Sequence, residues 1–332
     1  MSPRHAASAA LALALPVTLA ACGDDATQAA DGTDRITVVT SFYPLQEAVE
    51  RVGGDHVEVS NLTKPGAEPH DVELTPRDVL SVQQADAVVY LSGFQPAVDD
   101  AVAEVDGPAL LDVHDAARLT LAASDDGHDH GGHEDEGGEH GEHGEHEEAG
   151  GEHDDHDHGS VDPHYWLDPA RYADTVDAVA DQLAEVDPAH AEEYRAAARD
   201  VTGRLGELDR EMRAGLADCR QEHLVTSHTA FAYLADAYGL EQESITGLTP
   251  ETEPGSAQLA EVVAHVEEHG VTTIYAETLV PRDVADTIAR EAGATVAVLD
   301  PIEGVTDESA ADDYLGIMRA NLQTLRTGQD CR

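Results

Sequence analysis

Histidines mixed with carboxylates dominate the chemistry that this sequence offers. Residues 125–159 hold nine histidines, fifteen acidic residues and ten glycines, with one alanine as the only other residue. Imidazole and carboxylate together suit borderline divalent ions such as zinc, nickel and copper. With no apolar side chain to pack, this His-rich tract is expected to be a disordered, solvated loop that collects metal without selecting it. Its metal-contact candidates are His128, His130, His133, His140, His143, His146, His153, His156 and His158.

Selective binding requires an ordered site elsewhere, and three other histidines are candidates for it. His70 lies in the loop Gly-Ala-Glu-Pro-His-Asp, and His164 lies in Asp-Pro-His-Tyr-Trp-Leu-Asp-Pro. His228 follows directly after the predicted strand 224–227. A proline before each of the first two histidines stiffens its approach. Three neutral imidazoles bind zinc at about 2.0–2.1 Å and leave room for one further ligand or a water.

Carboxylates after other predicted strands could complete this site. We favour Glu303 as the fourth ligand, and Asp300, Glu277 and a water remain alternatives. Glu68 and Asp71 flank the first histidine of the site and could accept a hydrogen bond that selects its tautomer. The remaining histidines are interpreted as surface residues: His56, His114, His190, His223, His265 and His269.

Alternating strand and helix patterns must position these side chains. They predict an α/β protein with two parallel-sheet lobes joined by a long helix, with a ligand site beyond the carboxyl ends of the strands. The pattern includes a helix over 188–217, long enough at about 42 Å to link two lobes, and a strand over 243–246. The predicted segments are an N-terminal lobe (35–124), a site loop (160–168), linking helices (169–218) and a C-terminal lobe (222–332).

The formal charge of −50 limits the partners of the protein. Only fifteen acids lie in the His-rich tract, so the remainder is acidic too. Nucleic acid, whose phosphates require a basic surface, is therefore excluded as a partner. An acidic surface attracts cations.

The N-terminus predicts export and lipid attachment. An apolar run, Ala9 to Ala21, is too short for a permanent membrane span and reads as a signal peptide, 1–21. It ends in Leu-Ala-Ala-Cys-Gly, which favours acylation of Cys22 over simple secretory cleavage. Residues 22–34 form a polar tether. The mature protein is thus expected on the outer face of the cytoplasmic membrane, anchored by lipid.

Two cysteines remain after Cys22 is assigned to lipid. Cys219 and Cys331 form an even pair in an oxidising compartment, where disulfides persist. The sequence therefore predicts a disulfide between them that ties the C-terminal tail to the lobe.

Six stretches resemble the solute-binding proteins of bacterial zinc and manganese ABC transporters. The resemblance implies a two-lobed fold with a linking helix and one metal between the lobes, held by His70, His164, His228 and Glu303. Manganese members resemble this chain but carry Glu at the third position, so three histidines imply zinc. The stretches are Thr40-Ser-Phe-Tyr-Pro44, Gly66-Ala-Glu-Pro-His-Asp-Val-Glu-Leu-Thr-Pro76, Asp86-Ala-Val-Val-Tyr90, His164-Tyr-Trp-Leu-Asp-Pro169, Thr226-Ser-His-Thr-Ala-Phe-Ala-Tyr233 and Leu299-Asp-Pro-Ile-Glu-Gly304.

The implied function is capture of extracytoplasmic Zn²⁺ and its delivery to the membrane subunit of an ABC permease, by a monomer that is not an enzyme. The alternatives are a manganese-binding subunit and a surface zinc buffer or adhesin. A zinc hydrolase would need an open coordination position and a general base. The chain contains no His-Glu-x-x-His and no Gly-x-Ser-x-Gly motif.

Overall fold

Two four-stranded parallel sheets form the framework of the protein. The computed structural model describes residues 35–122, 161–250 and 253–332. The predicted α/β architecture with two parallel-sheet lobes is confirmed. Cys22 and the His-rich tract lie outside the described residues.

The N-terminal sheet has the strand order β2-β1-β3-β4. Helix α2 begins with a capping box, in which the side chains and backbone amides of Thr75 and Asp78 bond each other reciprocally. The strands are β1 (Ile36–Thr40), β2 (Val57–Asn61), β3 (Ala87–Tyr90) and β4 (Ala109–Asp112). The helices are α1 (Tyr43–Gly53), α2 (Pro76–Gln84), α3 (Pro96–Ala103) and the single turn α4 (His114–Ala117).

Two long helices, α5 (Pro169–Val186) and α6 (Ala191–Leu216), connect the sheets. Helix α6 begins three residues later than the predicted 188, because the carboxylate of Asp187 accepts hydrogen bonds from His190 Nδ1 at 2.5 Å and Tyr194 Oη at 2.8 Å. These bonds hold the intervening residues as a turn. The 26 residues of α6 span about 39 Å.

The C-terminal sheet repeats the pattern with the order β6-β5-β7-β8. Strand β6 lies two residues earlier than the predicted 243–246, because Glu241 N donates to Glu222 O at 2.8 Å and the ladder begins directly after α7. The strands are β5 (His223–Thr226), β6 (Glu241–Ser244), β7 (Thr273–Ala276) and β8 (Thr295–Val298). The helices are α7 (Ala232–Tyr238), α8 (Ser256–His269), α9 (Asp283–Ala292) and α10 (Tyr314–Gly328).

One continuous apolar core runs from the first sheet through α5 and α6 into the second. The turn Tyr165–Leu167 is fully buried within it. Trp166 Nε1 donates to Pro301 O at 2.8 Å, and Tyr314 Oη donates to Trp166 O at 2.6 Å. Trp166 also lies 4.9 Å from the ring of Phe42. These contacts bind the two sheets into one compact unit.

A disulfide joins Cys219, after α6, to Cys331, after α10. It links the end of the long connecting helix to the C-terminal tail, as the sequence predicts. Among the helices of the described residues, none has both the length and the apolar character needed to cross a bilayer.

Candidate metal centre

Three imidazoles and one carboxylate converge on a single point. Glu303 Oε1 lies 3.3 Å from His70 Nε2, 3.1 Å from His164 Nε2 and 3.3 Å from His228 Nε2. His70 Nε2 and His164 Nε2 are 3.2 Å apart. Zinc ligands at 2.0–2.1 Å from a tetrahedral centre are separated by about 3.3 Å. The observed donor separations therefore have the dimensions of a tetrahedral zinc site.

Each of these side chains follows a strand or enters from the segment between the sheets. His70 lies in the loop between β2 and α2, and His164 lies just before the buried turn that leads to α5. His228 follows β5, and Glu303 follows β8. Because parallel strands present their carboxyl ends at one edge, both sheets contribute side chains to one place between them.

A buried glutamine holds the loop that carries His70. Gln95, only 1% exposed, donates through Nε2 to Pro69 O at 3.1 Å and to Thr63 Oγ1 at 3.0 Å. The carboxylate of Glu68 accepts the backbone N–H of His70 at 3.1 Å. Glu68 thus orients the backbone of this histidine, and its oxygen lies 4.0 Å from Nε2. Asp71, the other acceptor considered, has an exposed side chain.

An aspartate two residues earlier orients His164. Asp162 Oδ1 accepts from both the backbone N–H and Nδ1 of His164, each at 2.8 Å. The bond to Nδ1 leaves the lone pair of Nε2 directed at the site. Trp166 lies beneath, with its ring 5.2 Å from that of His164. Sequence reasoning did not assign Asp162 or Gln95 a role, although the Asp-x-His spacing of the first could have indicated one.

Glu277 orients His228. Its Oε1 accepts the backbone N–H at 3.0 Å and its Oε2 lies 2.5 Å from Nδ1. The Nε2 of His228 is buried and lies 3.3 Å from Glu303 Oε1, without the alignment of a regular hydrogen bond. The structure thus places Glu277 on the far side of the imidazole ring, whereas the sequence left it as a possible fourth ligand.

Backbone contacts position Glu303. Asp300 Oδ1 accepts the N–H of Ile302 at 2.8 Å, which holds Ile302 at φ 58°. A left-handed conformation costs a β-branched residue roughly 1–2 kcal/mol. Asn321, on α10, bonds both the N–H of Asp300 at 3.0 Å and its carbonyl at 2.7 Å. Asp300 therefore acts on the turn before Glu303 and is absent from the four-residue ligand group.

The electrostatics of the site favour imidazolium beside carboxylate when no cation is bound. Burial opposes ionisation of Glu303, but His228, His164 and His70 bring its pKa well below the usual value. Burial likewise opposes a charge on His228, yet Glu277 and Glu303 raise its pKa well above the usual value. Burial also lowers the pKa of His70. Burial and the nearby Glu303 raise the pKa of Glu68 to about 8. A divalent cation bound here would compete with these protons.

Comparison with known proteins agrees with this geometry. The family model "ZnuA: Zinc-uptake complex component A periplasmic" matches residues 38–328. The chain is 38% identical over 309 residues to the zinc-binding protein AdcA of Streptococcus pyogenes serotype M3. The aligned region covers 89% of this chain and 56% of AdcA. It thus spans little more than half of that relative.

Two further relatives have matching extents and fold. The high-affinity zinc uptake system protein ZnuA of Bacillus subtilis is 35% identical over 316 residues, 93% of this chain and 92% of that protein. The crystal structure of Zn(II)-bound AdcA from Streptococcus pneumoniae superposes with a TM-score of 0.70 at 30% identity. The superposition covers 89% of this chain and 58% of the AdcA chain.

Proposed function

The chain belongs to the ZnuA family of periplasmic zinc-uptake components, and from this premise we propose that it captures Zn²⁺ outside the cytoplasmic membrane and delivers it to an ABC permease. The ligands in this proposal are His70, His164, His228 and Glu303. Zinc is the cargo of the protein, bound and later released. The chain has no catalytic role in this proposal.

The single observation that carries the proposal is the set of donor separations. Three Nε2 atoms lie 3.1–3.3 Å from one carboxylate oxygen, close to the edge of a zinc tetrahedron of about 3.3 Å. Asp162 and Glu277 each occupy the Nδ1 side of an imidazole. This arrangement directs the Nε2 lone pairs inward, as in protein zinc sites.

The donor types favour zinc over manganese. Manganese prefers carboxylate, carbonyl and water oxygens, whereas imidazole suits zinc. Three of the four donors here are imidazole nitrogens. A manganese-binding role is therefore the alternative that the binding experiment below must exclude.

The filled coordination shell argues against hydrolysis. A catalytic zinc keeps one position open for water. Here Glu303 approaches all three histidines, and its own side chain is 1% exposed. His164 and His228 are fully buried. Capture of an ion fits this closed arrangement better than catalysis on a substrate.

The remaining sequence predictions complete the proposal. The His-rich tract (125–159) gathers zinc near the site, and Cys22 carries the lipid anchor. Two lobes, 35–124 and 222–332, hold the ion between them. The chain acts as a monomer that contacts the membrane subunit of the permease. Support for the anchor comes from a relative named zinc-binding lipoprotein AdcA in Streptococcus pneumoniae.

A variant that lacks the tract isolates the ordered site. Ala122 and Val161 form an antiparallel bridge, and Asp162 N donates to Leu121 O at 2.9 Å. These contacts bring the two ends of the intervening segment together. A short Gly-Ser linker can therefore replace residues 125–159 without displacing the residues that position His164.

Binding of Zn²⁺ and Mn²⁺ to this variant is measured side by side, by competition with a chelator of known strength. We expect one tight zinc and much weaker manganese, with loss of the tight zinc in His228→Ala. His114→Ala is the matched control, because His114 belongs to neither histidine cluster of the described chain. Manganese binding equal to or tighter than zinc, or no tight site at all, would contradict the proposal.

Delivery needs a separate measurement in cells. Zinc uptake by a strain that lacks the endogenous binding protein should be restored by this chain only when the permease is present. Cys22→Ala in the same assay tests the anchor, because the released protein should support less uptake at equal expression. Uptake that is independent of the permease would refute the transport role and leave zinc buffering as the better account.

A further inference from the structure

A second group of three histidines lies outside the metal centre. The sequence predicts that His223, His265 and His269 are surface residues, and the fold brings them together. One nitrogen of each lies within 4.8 Å of the others. The ring centroids of His223 and His269 are 3.8 Å apart, and those of His265 and His269 are 4.4 Å apart.

The elements that carry these histidines are well defined. His223 is the first residue of β5. His265 and His269 lie one turn apart on α8, at the spacing that places two side chains on one face of a helix. Gln221 Nε2 donates to Gly270 O at 2.9 Å, which ties the residues before β5 to the end of α8. The start of β5 and the end of α8, which carry the three imidazoles, are therefore held close to each other.

The chemistry of this histidine triad suits a cation. Nε2 of His265 is buried and has no hydrogen-bond partner in the described residues. Burial lowers the pKa of His265 against the opposing charge of Glu243, and the neighbouring His269 and His223 lower it further, which favours the neutral ring. A neutral imidazole offers its lone pair to a metal without first losing a proton. The carboxyl end of α8 carries partial negative charge, which further favours a cation there.

The carboxylates near the triad include Glu241 beside His223 and Glu243, which is close enough to influence His265. Glu241 Oε2 lies 3.5 Å from His223 Nδ1 and is itself exposed. It can orient His223 and contribute negative charge. His269 is exposed, so its ring can change rotamer at small cost to reach coordinating geometry.

We propose that His223, His265 and His269 form a second, solvent-accessible binding site for a borderline divalent cation such as Zn²⁺. Water completes the coordination. The site is separate from the metal centre, because His223 begins β5 and His228 lies beyond its other end, and the strand alone spans roughly 10 Å. No carboxylate ligand belongs to the triad and one of its imidazoles is exposed. The triad therefore binds more weakly and exchanges its ion faster than the metal centre. This inference does not depend on the proposed transport function.

Residue-resolved chemical labelling tests the site in the full mature chain. Diethyl pyrocarbonate modifies imidazoles with an available lone pair, and mass spectrometry assigns each modified residue. Zn²⁺ as the chloride is titrated past saturation of the metal centre, and labelling of His223 and His269 is followed. We expect labelling of both to fall several-fold together, at higher zinc than the metal centre requires, while Mg²⁺ has no effect because it prefers oxygen ligands.

Two variants make the test specific. His265→Gln removes the ligand whose Nε2 is buried, and His269→Gln removes a ligand at an exposed position where folding is not at risk. Each should abolish the zinc-dependent protection of the remaining triad residues while leaving tight zinc binding at the metal centre intact. His114→Gln should leave the protection unchanged. Labelling of His223 and His269 that is insensitive to zinc, or protection that persists in both variants, would overturn the proposal.

Discussion

Replacement of Glu277 by glutamine tests how the fold prepares His228 for metal. The two carboxylate oxygens accept the backbone N–H at 3.0 Å and face Nδ1 at 2.5 Å. A glutamine keeps the size of the side chain but replaces one oxygen with an NH₂ group. If that group faces the backbone N–H, two donors meet. If it faces Nδ1, the ring proton must move to Nε2, the atom that points at the metal.

Either orientation weakens zinc binding. Loss of an outer-shell partner of a metal-bound histidine typically costs 10–100-fold in affinity, or about 1.4–2.7 kcal/mol. A second effect acts in the opposite direction. Glu277 is the first of the two carboxylates that raise the pKa of His228, so its neutralisation lowers that pKa and reduces proton competition. The loss should therefore be largest at high pH and smaller as the pH falls.

The assay is chelator competition on the variant that lacks the His-rich tract, repeated across a range of pH. In the parent protein, zinc affinity should rise with pH until His228 is deprotonated. In Glu277→Gln the rise should occur at lower pH and reach a lower plateau. Glu291→Gln, at an exposed carboxylate on α9, is the matched control. Equal plateau affinity and an unchanged pH profile in Glu277→Gln would refute the orienting role.

Three further predictions follow from the same geometry. Loss of a group that only orients a ligand typically reduces metal affinity by about 10–100-fold. Glu303→Gln should reduce zinc affinity by a larger factor, because it changes a ligand itself. Asp300→Asn should reduce zinc affinity less than Glu303→Gln does, because an amide oxygen can still accept the hydrogen bond of the Ile302 N–H. Equal losses of affinity in the two variants, measured by chelator competition, would contradict Glu303 as the fourth ligand. Zinc binding near pH 7 should release about one proton or more, because the raised pKa of His228 favours its protonated form without metal. Calorimetry in buffers of different ionisation enthalpy measures the number of protons released. Binding heats that do not depend on the buffer would contradict this prediction. Paired serine substitutions at Cys219 and Cys331 should lower the free energy of unfolding by about 2–5 kcal/mol, as measured by denaturant titration. Zinc affinity should be unchanged, and a loss of affinity would show that the disulfide also shapes the site.

Local patterns in the sequence were enough to predict the architecture. Buried runs such as Ala87–Tyr90, bounded by helix signals such as the Thr75 cap, have little dependence on distant residues. The sequence placed the short strand β6 two residues too late, because Ile245 is apolar and was assigned to the strand. The structure buries Ile245 just beyond the end of β6. Apolar character alone does not distinguish a strand from the buried loop that follows it.

The candidate ligands could also be proposed from position. His70 and His228 follow predicted strands, where parallel sheets gather their ligands. The choice among Glu303, Asp300 and Glu277 could not be made in this way, since all three are acids after strands. Only the folded chain directs Glu303 toward the imidazoles, Glu277 toward Nδ1 of His228 and Asp300 toward its own backbone turn.

The sequence by itself therefore determined the two α/β lobes, the family and the short set of side chains from which a metal site could be built. These follow from periodicity, residue type and order along the chain. The tertiary structure alone decided which acid meets which imidazole, and it alone joined His223 to His265 and His269 across about 40 residues of chain. Such contacts depend on how separate elements pack and on where each side chain points, and neither is encoded in any local stretch of sequence.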